Sequence, residues 1–249
     1  MSNPQVAHTA DVESRRSSTK STVQIRRSRG SSQSKRAPDR LLGAAIRVFG
    51  QHGLHGTSTR ALAHEAGVNL QAIAYHFGHK EGLYRATARE VAESLAEATA
   101  HTRGMATQRL SEFESEGVSM SPAEARDLLR QIVEDMAMVF IDDETAPLTL
   151  FVIREQMAPT ETFHVIREIL LVPLFDVMSR LTGQVLGEPP DSERVRLRAL
   201  SLLGAVMVFR VAHAGAMAQL GWGSIDEDRR NAVRRHVAAL LEELGSKQS

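Results

Sequence analysis

From Pro38 onward, apolar side chains recur along the chain at the spacing of an α-helix. Leu42, Ala45, Ile46 and Phe49 stand at positions i, i+3, i+4 and i+7, which gives one helix an apolar stripe. Glycine and proline fall mostly between such segments, and no segment alternates between apolar and polar residues for long enough to form a strand. The pattern therefore predicts an all-α fold.

Three short helices are predicted at the start of this region. Pro38 suits the first turn of a helix that ends near residues 50–53. Ser58 can cap a second helix, Gly67 can end it in the left-handed conformation, and Asn69 can cap a third. Two short helices joined by such a tight turn are typical of a helix-turn-helix, so residues 37–84 are predicted to form a DNA-binding domain.

The remaining residues, 85–249, are predicted to form a second helical domain. Ser121, Pro122 and Glu124 form a capping-box pattern that opens a helix ending near Phe140. Further helices are expected at residues 147–157, 160–181 with a bend at Pro173, 191–218 and 226–244. Residues 103–120 show no strong pattern, and two expectations stay open for them: a loop, or a segment that is partly helical.

Charge is unevenly distributed, although the formal net charge is zero. Residues 1–36 hold eight Lys or Arg against two acidic residues, a balance of +6, and few aliphatic side chains. Such a segment cannot bury enough surface to offset its ordering entropy, so it is predicted to be a disordered basic tail. Two interpretations stay open for it: an arm that contacts phosphates or the minor groove, and a solvated extension without a task.

The third predicted helix has an outward face suited to the major groove of DNA. Val68, Ile73 and Phe77 are expected to point inward, which leaves outward residues 70, 71, 72, 75 and 76. Gln71 can offer its amide to an adenine edge, and Lys80 can reach a phosphate. Simple packing is the alternative for Leu70, which can cover the edge of the core, and for His76.

Four segments carry a family resemblance: Gly-Thr-Ser-Thr-Arg at 56–60, Leu-Ala at 62–63, Ala-Gly-Val-Asn at 66–69, and Tyr-His-Phe-Gly-His-Lys-Glu-Gly-Leu at 75–83. Together they resemble the signature of the TetR family over residues 38–84. Phe-Val-Ile-Arg-Glu-Gln at 151–156, Pro-Thr at 159–160, Phe-Arg at 209–210 and Gly-Trp at 221–222 are similar to the CecR-like branch of that family. The resemblance implies three DNA-binding helices, a long linking helix, a C-terminal ligand pocket and a dimer interface made by the last two helices.

Residue by residue, the resemblance and the outward face give the predicted DNA contacts: Ser58, Thr59, Arg60, Asn69, Leu70, Gln71, Ala72, Tyr75, His76 and Lys80. The sequence departs from the family pattern where Ala74 replaces the usual tyrosine, and Tyr75 is the substitute that the sequence offers. The domain is also weakly charged, because residues 37–84 carry four Lys or Arg and three acidic residues.

Small side chains near the C-terminus independently favour a homodimer. They permit close approach of helices and comprise Ser201, Gly204, Ala205, Ala212, Gly215, Ala216 and Ala218. A two-fold dimer requires a palindromic operator with half-sites about 34–36 Å apart.

The predicted effector site rests on cations in apolar helices. Arg154 and Arg210 each need an acidic partner, a carbonyl or a ligand, and Glu155 and Glu168 are candidate partners. An ion pair that locks helix packing is the alternative to ligand contact. Apolar residues that could line the same site, but that are more often core, complete the candidates: Phe151, Phe163, Phe175, Met178 and Trp222.

Several function classes are disfavoured. The chain has no cysteine, and it lacks an HExxH pattern, a glycine-rich phosphate loop and a nucleophile elbow. No metal, cofactor, secretory signal or membrane span is predicted, so a cytoplasmic location is expected. The sequence thus predicts a ligand-responsive transcriptional regulator, and we expect it to be a repressor that a small molecule releases from DNA. The alternatives are a DNA-binding nucleoid or structural protein without an effector and an all-α enzyme.

Overall fold

The computed structural model describes residues 36–245, and within that range the secondary structure is entirely helical. The N-terminal helices are α1 (Ala37–His52), α2 (Thr59–Ala66), α3 (Gln71–Phe77) and α4 (Lys80–Ala98). They are followed by α5 (Ala100–Glu116), α6 (Pro122–Ile141), α7 (Ala146–Met157), α8 (Phe163–Ile166), α9 (Val172–Leu186), α10 (Glu193–Val211), α11 (His213–Leu220) and α12 (Glu227–Glu242). The prediction of an all-α fold is confirmed, while the predicted basic tail at residues 1–36 lies outside the described residues except for Arg36.

Two hydrophobic cores organise these helices. The first core joins α1–α4 to α7 and α8, with Phe49, Tyr84 and Phe151 at its centre. The second core surrounds α6, which packs against α9, α10 and α12. Because the first core includes α7 and α8 from the middle of the chain, the N-terminal helices are packed directly onto α7.

The buried face of α1 is wider than the predicted stripe. Ala45 and Phe49 are buried as expected, but Leu41 and Ala44 are also buried, and Leu42 is only half-buried. The reason is that α1 packs on two sides, against α2 and α4 and also against α7. A stripe derived from one face of a helix cannot include the second contact.

Of the two expectations for residues 103–120, the loop is wrong and the partly helical segment is confirmed, because α5 runs to Glu116. Its buried positions are Thr102, Ala106 and Leu110, of which only one is large and apolar. Arg109 pairs with the carboxylate of Glu124 on α6 at 2.7 Å. Small buried residues and surface charges hold this helix in place, and neither produces a strong apolar stripe.

Two predicted long helices are interrupted. The helix expected at 160–181 begins at Phe163 and becomes π-helical over Arg167–Leu171, just before Pro173, which removes a backbone donor. The helix expected at 191–218 breaks at Ala212 (φ −109°, ψ 33°), and α10 and α11 meet there at 86°. No glycine or proline marks this second break in the sequence.

Candidate nucleic-acid interface and effector cavity

Local capping fixes how α3 follows α2. The Ser58 hydroxyl accepts a hydrogen bond from the N–H of Ala61 at 3.1 Å and caps α2. Gly67 ends that helix at φ +61°, where a side chain would be strained, and Asn69 Oδ1 accepts from the N–H of Gln71 at 2.9 Å. The predicted Ser58 cap and the Gly67 end of α2 are confirmed, whereas Asn69 bonds to the start of α3 from one residue before its N-cap, Leu70. Ser58 and Arg60 at the start of α2 are exposed.

The outer face of α3 is free of packing. Ile73 is buried, whereas Gln71 and His76 are exposed and Tyr75 is 84% exposed. The rings of Tyr75 and His76 meet edge to face at 4.8 Å between centroids. Leu70 is 44% exposed, so it covers the core only in part. Ala72 was also expected to point outward, but it is half-buried and packs against the first core. Among the contacts predicted on α3, Gln71, Tyr75 and His76 are therefore the ones that are free to contact DNA.

A close corner joins α3 to α4. The His79 side chain caps α4, since its Nδ1 accepts from the N–H of Gly82 at 3.0 Å. A Cβ atom on Gly82 would lie 2.0 Å from the carbonyl oxygen of Phe77, so only glycine fits there. Lys80 Nζ donates to the carbonyl oxygen of Thr57 at 3.1 Å. An ammonium has three donors, so Lys80 holds the loop before α2 and keeps donors for a phosphate.

Positive charge on this domain is further reduced by internal pairing. Arg47 forms an ion pair with Glu65 at 2.7 Å across α1 and α2. Any phosphate contact from residues 37–84 must therefore rely mainly on hydrogen bonds and on the few remaining cations.

One side of α7 is fastened to the N-terminal domain. Phe151 stacks against the ring of Tyr84 at 5.0 Å, and Tyr84 meets Phe49 edge to face at 4.8 Å. Arg154 donates to the carbonyl oxygens of Gly50 at 3.2 Å and Gln51 at 2.6 Å. Because the last carbonyls of α1 lack helical partners, this guanidinium acts as a cap supplied by another helix.

A buried carboxylate forms the centre of this junction. Glu155 is fully buried and accepts hydrogen bonds from the Tyr84 hydroxyl at 2.5 Å and from the Thr160 hydroxyl at 3.0 Å. Burial first, and the Glu155 carboxylate second, raise the pKa of the Tyr84 phenol. The phenol therefore stays a donor to Glu155, and this bond ties α4 to α7.

The other side of α7 faces an apolar cavity. Its interior volume is about 50 Å³, enough for a few water molecules and well below the roughly 300–1,000 Å³ of typical ligand pockets. The walls come from α4, α6, α7, α10 and the segment leading into α9: Leu95, Thr99, Met136, Val139, Phe140, Thr149, Val152, Ile153, Gln156, Leu170, Leu171, Leu174, Leu203 and Met207. A ligand of ordinary size must separate these walls.

None of the eight residues predicted for the effector site lines this cavity, and the structure does not bring them together. Phe151, Arg154 and Glu155 belong to the junction with the N-terminal domain. Met178 is fully buried in the second core, Phe175 and Trp222 pack on its edge, and Phe163 is half-buried at the start of α8. On α7 the predicted residues and the cavity residues are neighbours in sequence on opposite faces of the helix, so only the predicted set turns away from the cavity.

Arg210 also has a structural task. Its guanidinium donates to the carbonyl oxygen of Asp142 and lies 3.6 Å from a carboxylate oxygen of Asp143, which joins α10 to the α6–α7 turn. Burial lowers the pKa of Arg210, and the Asp143 carboxylate opposes that effect. Neither Arg154 nor Arg210 pairs with Glu155 or Glu168, and Glu168 pairs instead with its neighbour Arg167.

An apolar surface runs along α10. Leu197, Leu200, Val208 and Val211 are between 44% and 59% exposed and follow helical spacing, with the exposed Gly204 between them. Leu202, Leu203 and Val206 on the opposite face are buried. Helix α11 has no buried residue although it is rich in alanine. The small residues singled out in the sequence thus lie mostly on the outside, where a second helix could approach.

Two helical stretches in the described part of the chain have the length and apolar composition of a membrane span. The continuous helical segment Phe163–Leu186 is long and apolar enough to cross a membrane, and so is the bent pair α10 and α11 taken together. Core helices pass the same test, and Leu174, Met178 and Leu181 of the first segment are core residues. Within residues 36–245, no group of three or more His, Asp or Glu side chains could hold a metal ion.

Comparisons with known proteins agree with this geometry. The family described as bacterial regulatory proteins, tetR family, matches residues 41–95, and the C-terminal domain of the HTH-type transcriptional dual regulator CecR matches residues 125–244. The CecR protein of Shigella flexneri is 29% identical over 210 residues, 83% of this chain and 90% of that protein.

Solved structures share the fold. A tetR-family regulatory protein from Rhodococcus RHA1 has a TM-score of 0.58 and 19% identity, covering 86% of this chain and 100% of its own. The transcriptional regulator FadR from Bacillus subtilis, in complex with stearoyl-CoA, has a TM-score of 0.53 and 17% identity, covering 84% and 99% of the two chains.

A helix-turn-helix with an exposed recognition helix, packed onto a larger helical domain, defines a transcriptional regulator rather than an enzyme. The chain belongs to the TetR family, and its C-terminal domain is of the CecR type.

Proposed function

We propose that this protein is a homodimeric repressor that binds a palindromic operator and is released by a small-molecule effector. The observation that carries the proposal is the outer face of α3, where Gln71, Tyr75 and His76 are exposed beside the turn from α2. Action on chromosomal DNA would place the protein in the cytoplasm.

Each exposed residue has a role in this proposal. Gln71 reads an adenine edge through its amide, and Tyr75, four residues later on the same face, contacts the sugar-phosphate backbone of the DNA. Lys80 holds a phosphate with the donors that Thr57 leaves free. The remaining predicted contacts flank these three: Ser58, Thr59 and Arg60 at the start of α2, Asn69 in the turn, and Leu70, Ala72 and His76 on α3.

The exposed stripe of α10 is the proposed dimer interface. Leu197, Leu200, Val208 and Val211 supply apolar area, and Gly204 permits close approach of the same helix from the second copy. A two-fold axis through this stripe would set two α3 helices at half-sites about 34–36 Å apart.

The two faces of α7 suggest how effector binding reaches the DNA. Val152, Ile153 and Gln156 line the cavity, while Arg154 and Glu155 hold α1 and α4. An effector that widens the cavity by displacing α7 or α4 shifts the N-terminal domains of the two copies relative to each other. A tenfold loss of operator affinity needs only about 1.4 kcal/mol of coupling. The cavity favours such a regulator over a nucleoid protein, and the fold shared with a stearoyl-CoA complex supports a small-molecule effector.

The test begins with selection of bound sequences from random duplex DNA, followed by fluorescence anisotropy on the selected duplex. Gln71→Ala should cost about 1 to 3 kcal/mol on the selected site and relax the choice at one base pair, whereas Lys80→Ala should weaken all sequences alike. Gln108→Ala, which alters an exposed amide on α5, is the matched control. An unchanged sequence preference in Gln71→Ala would show that another residue reads the bases.

A further inference from the structure

The chemistry of the cavity walls limits the kind of molecule that can fill it. Eleven of the fourteen lining side chains are aliphatic, aromatic or thioether groups, and none of the fourteen is ionisable. The walls include Met136, Met207 and several leucines, side chains that repack readily around a flexible guest. The interior therefore suits a hydrocarbon chain.

The three polar lining residues are not equivalent. Thr149 already donates to the carbonyl oxygens of Thr145 at 3.2 Å and Ala146 at 3.1 Å. Thr99 donates to the carbonyl oxygen of Ala96 at 3.5 Å, which is a long contact. The exposed amide of Gln156 makes no hydrogen bond within the described part of the chain and stands where the cavity meets the surface.

An anionic group would lack a counter-charge in this cavity. Burying a carboxylate without a cation costs far more than burying a hydroxyl or an amide that is hydrogen-bonded. Three arginines close in sequence to the lining residues are directed elsewhere, Arg154 to the end of α1, Arg210 to the α6–α7 turn and Arg167 to Glu168. A fourth, Arg103, is not a lining residue and donates to the carbonyl oxygen of Ala96. One neutral amide can donate to and accept from an uncharged polar group but cannot neutralise an anion.

We infer that the effector is an uncharged, mainly aliphatic molecule with one polar end group, such as a long-chain alcohol or amide, held by Gln156 at the mouth of the cavity. The inference rests on the proposed function, because it names the ligand class of the same site. It separates such molecules from fatty acids and from acyl-CoA, whose charged groups find no paired cation among the lining residues.

The experiment uses the full-length protein and four probes with the same ten-carbon chain: 1-decanol, decanamide, decanoate and decanoyl-CoA. Isothermal titration calorimetry at neutral pH, below the micelle concentration of each probe, gives their affinities. We expect 1-decanol or decanamide to bind at least tenfold more tightly than decanoate and decanoyl-CoA. Equal or tighter binding of either anionic probe, or no binding of any probe, overturns the inference.

Substitutions at Gln156 make the test specific, because the side chain is exposed and the changes should not disturb folding. Gln156→Leu should weaken the neutral probes at least fivefold, and Gln156→Lys should improve decanoate at least tenfold by supplying a cation. Met157→Leu and Met157→Lys make the same changes at the next residue, which is 80% exposed and outside the cavity lining, and should alter no affinity. Unchanged affinities in both Gln156 variants contradict the assignment.

Operator binding is measured separately by anisotropy on the selected duplex. If the operator binds and the neutral probes do not, the ligand class is wrong and the DNA-binding function stands. If the neutral probes bind as expected but no sequence is selected, the cavity assignment stands and the regulator function fails.

Discussion

Removal of one hydroxyl tests whether the Tyr84–Glu155 bond holds the two domains together. Tyr84→Phe keeps the ring contacts with Phe49 and Phe151 but deletes the donor that lies 2.5 Å from the buried carboxylate of Glu155. A hydrogen bond to a charged group contributes roughly 1.5–3 kcal/mol. Because Glu155 keeps only Thr160 as a donor, we expect the free energy of unfolding to fall by about that amount.

Urea unfolding at fixed protein concentration measures the loss, and the chain provides its own control. It contains only two tyrosines, and Tyr75, which is 84% exposed, should change to Phe at a cost below about 0.5 kcal/mol. A double-mutant cycle with Glu155→Gln should give a coupling energy of roughly 0.5–3 kcal/mol for Tyr84 and Glu155. Equal stability of Tyr84→Phe and Tyr75→Phe would refute the reasoning.

The raised pKa of Tyr84 adds a pH signature. A phenol whose folded pKa lies above its unfolded value near 10 contributes stability that is complete below about pH 10 and is lost as the pH rises toward the folded pKa. Above about pH 10, the wild type should lose up to about 1.4 kcal/mol per pH unit relative to Tyr84→Phe. Parallel pH profiles of the two proteins would mean that the phenol is not held protonated in the folded state.

Three further predictions concern other contacts. Arg154→Met should lower the free energy of unfolding by about 1–3 kcal/mol, because the cap on α1 is lost. The affinity for 1-decanol should stay within about twofold of the wild type. Loss of the ligand response at unchanged stability would instead show that Arg154 contacts the ligand. Gly82→Ala should lower the free energy of unfolding by about 1–3 kcal/mol, because the new Cβ meets a backbone carbonyl oxygen. Gly43→Ala, in the open middle of α1, should raise it by about 0.5–1 kcal/mol. Similar effects of the two variants in urea unfolding would contradict the close approach of the backbone at Gly82. Leu200→Asp should convert the proposed dimer to a monomer in light scattering, and Val118→Asp, at a similarly exposed site, should not; a dimeric Leu200→Asp protein would mean that the interface lies elsewhere.

The helix-turn-helix could be predicted from sequence because its signals are local. Ser58 caps the helix that begins at the next residue by accepting from an N–H three residues away, and Gly67 ends that helix by its own backbone angle. The outward face of α3 followed from the spacing of Ile73 within a short helix. Such features depend on neighbours in sequence, and the structure confirms them.

The apolar cavity could not be predicted because its walls and the contacts around it are distant in sequence. The position of Arg154 in an apolar helix indicated that a partner was needed, but the partners are carbonyl oxygens about a hundred residues earlier in the chain. Glu155 was predicted as a ligand contact, although its main donor, Tyr84, lies on a helix 71 residues away. Helix α5 could be predicted only as one of two alternatives, because small residues such as Ala106 are buried by their neighbours and leave no strong apolar pattern in the sequence.

Helix α7 should tolerate substitutions on its cavity face but not insertions or deletions of residues. Val152 and Ile153 can be exchanged for other apolar residues without disturbing Arg154 or Glu155, because the two pairs face opposite ways. Insertion of a single residue before Val152 would instead rotate everything after it by about 100° around the helix axis. Homologues that recognise different effectors are therefore expected to differ in the identity of residues along α7 and to keep its length.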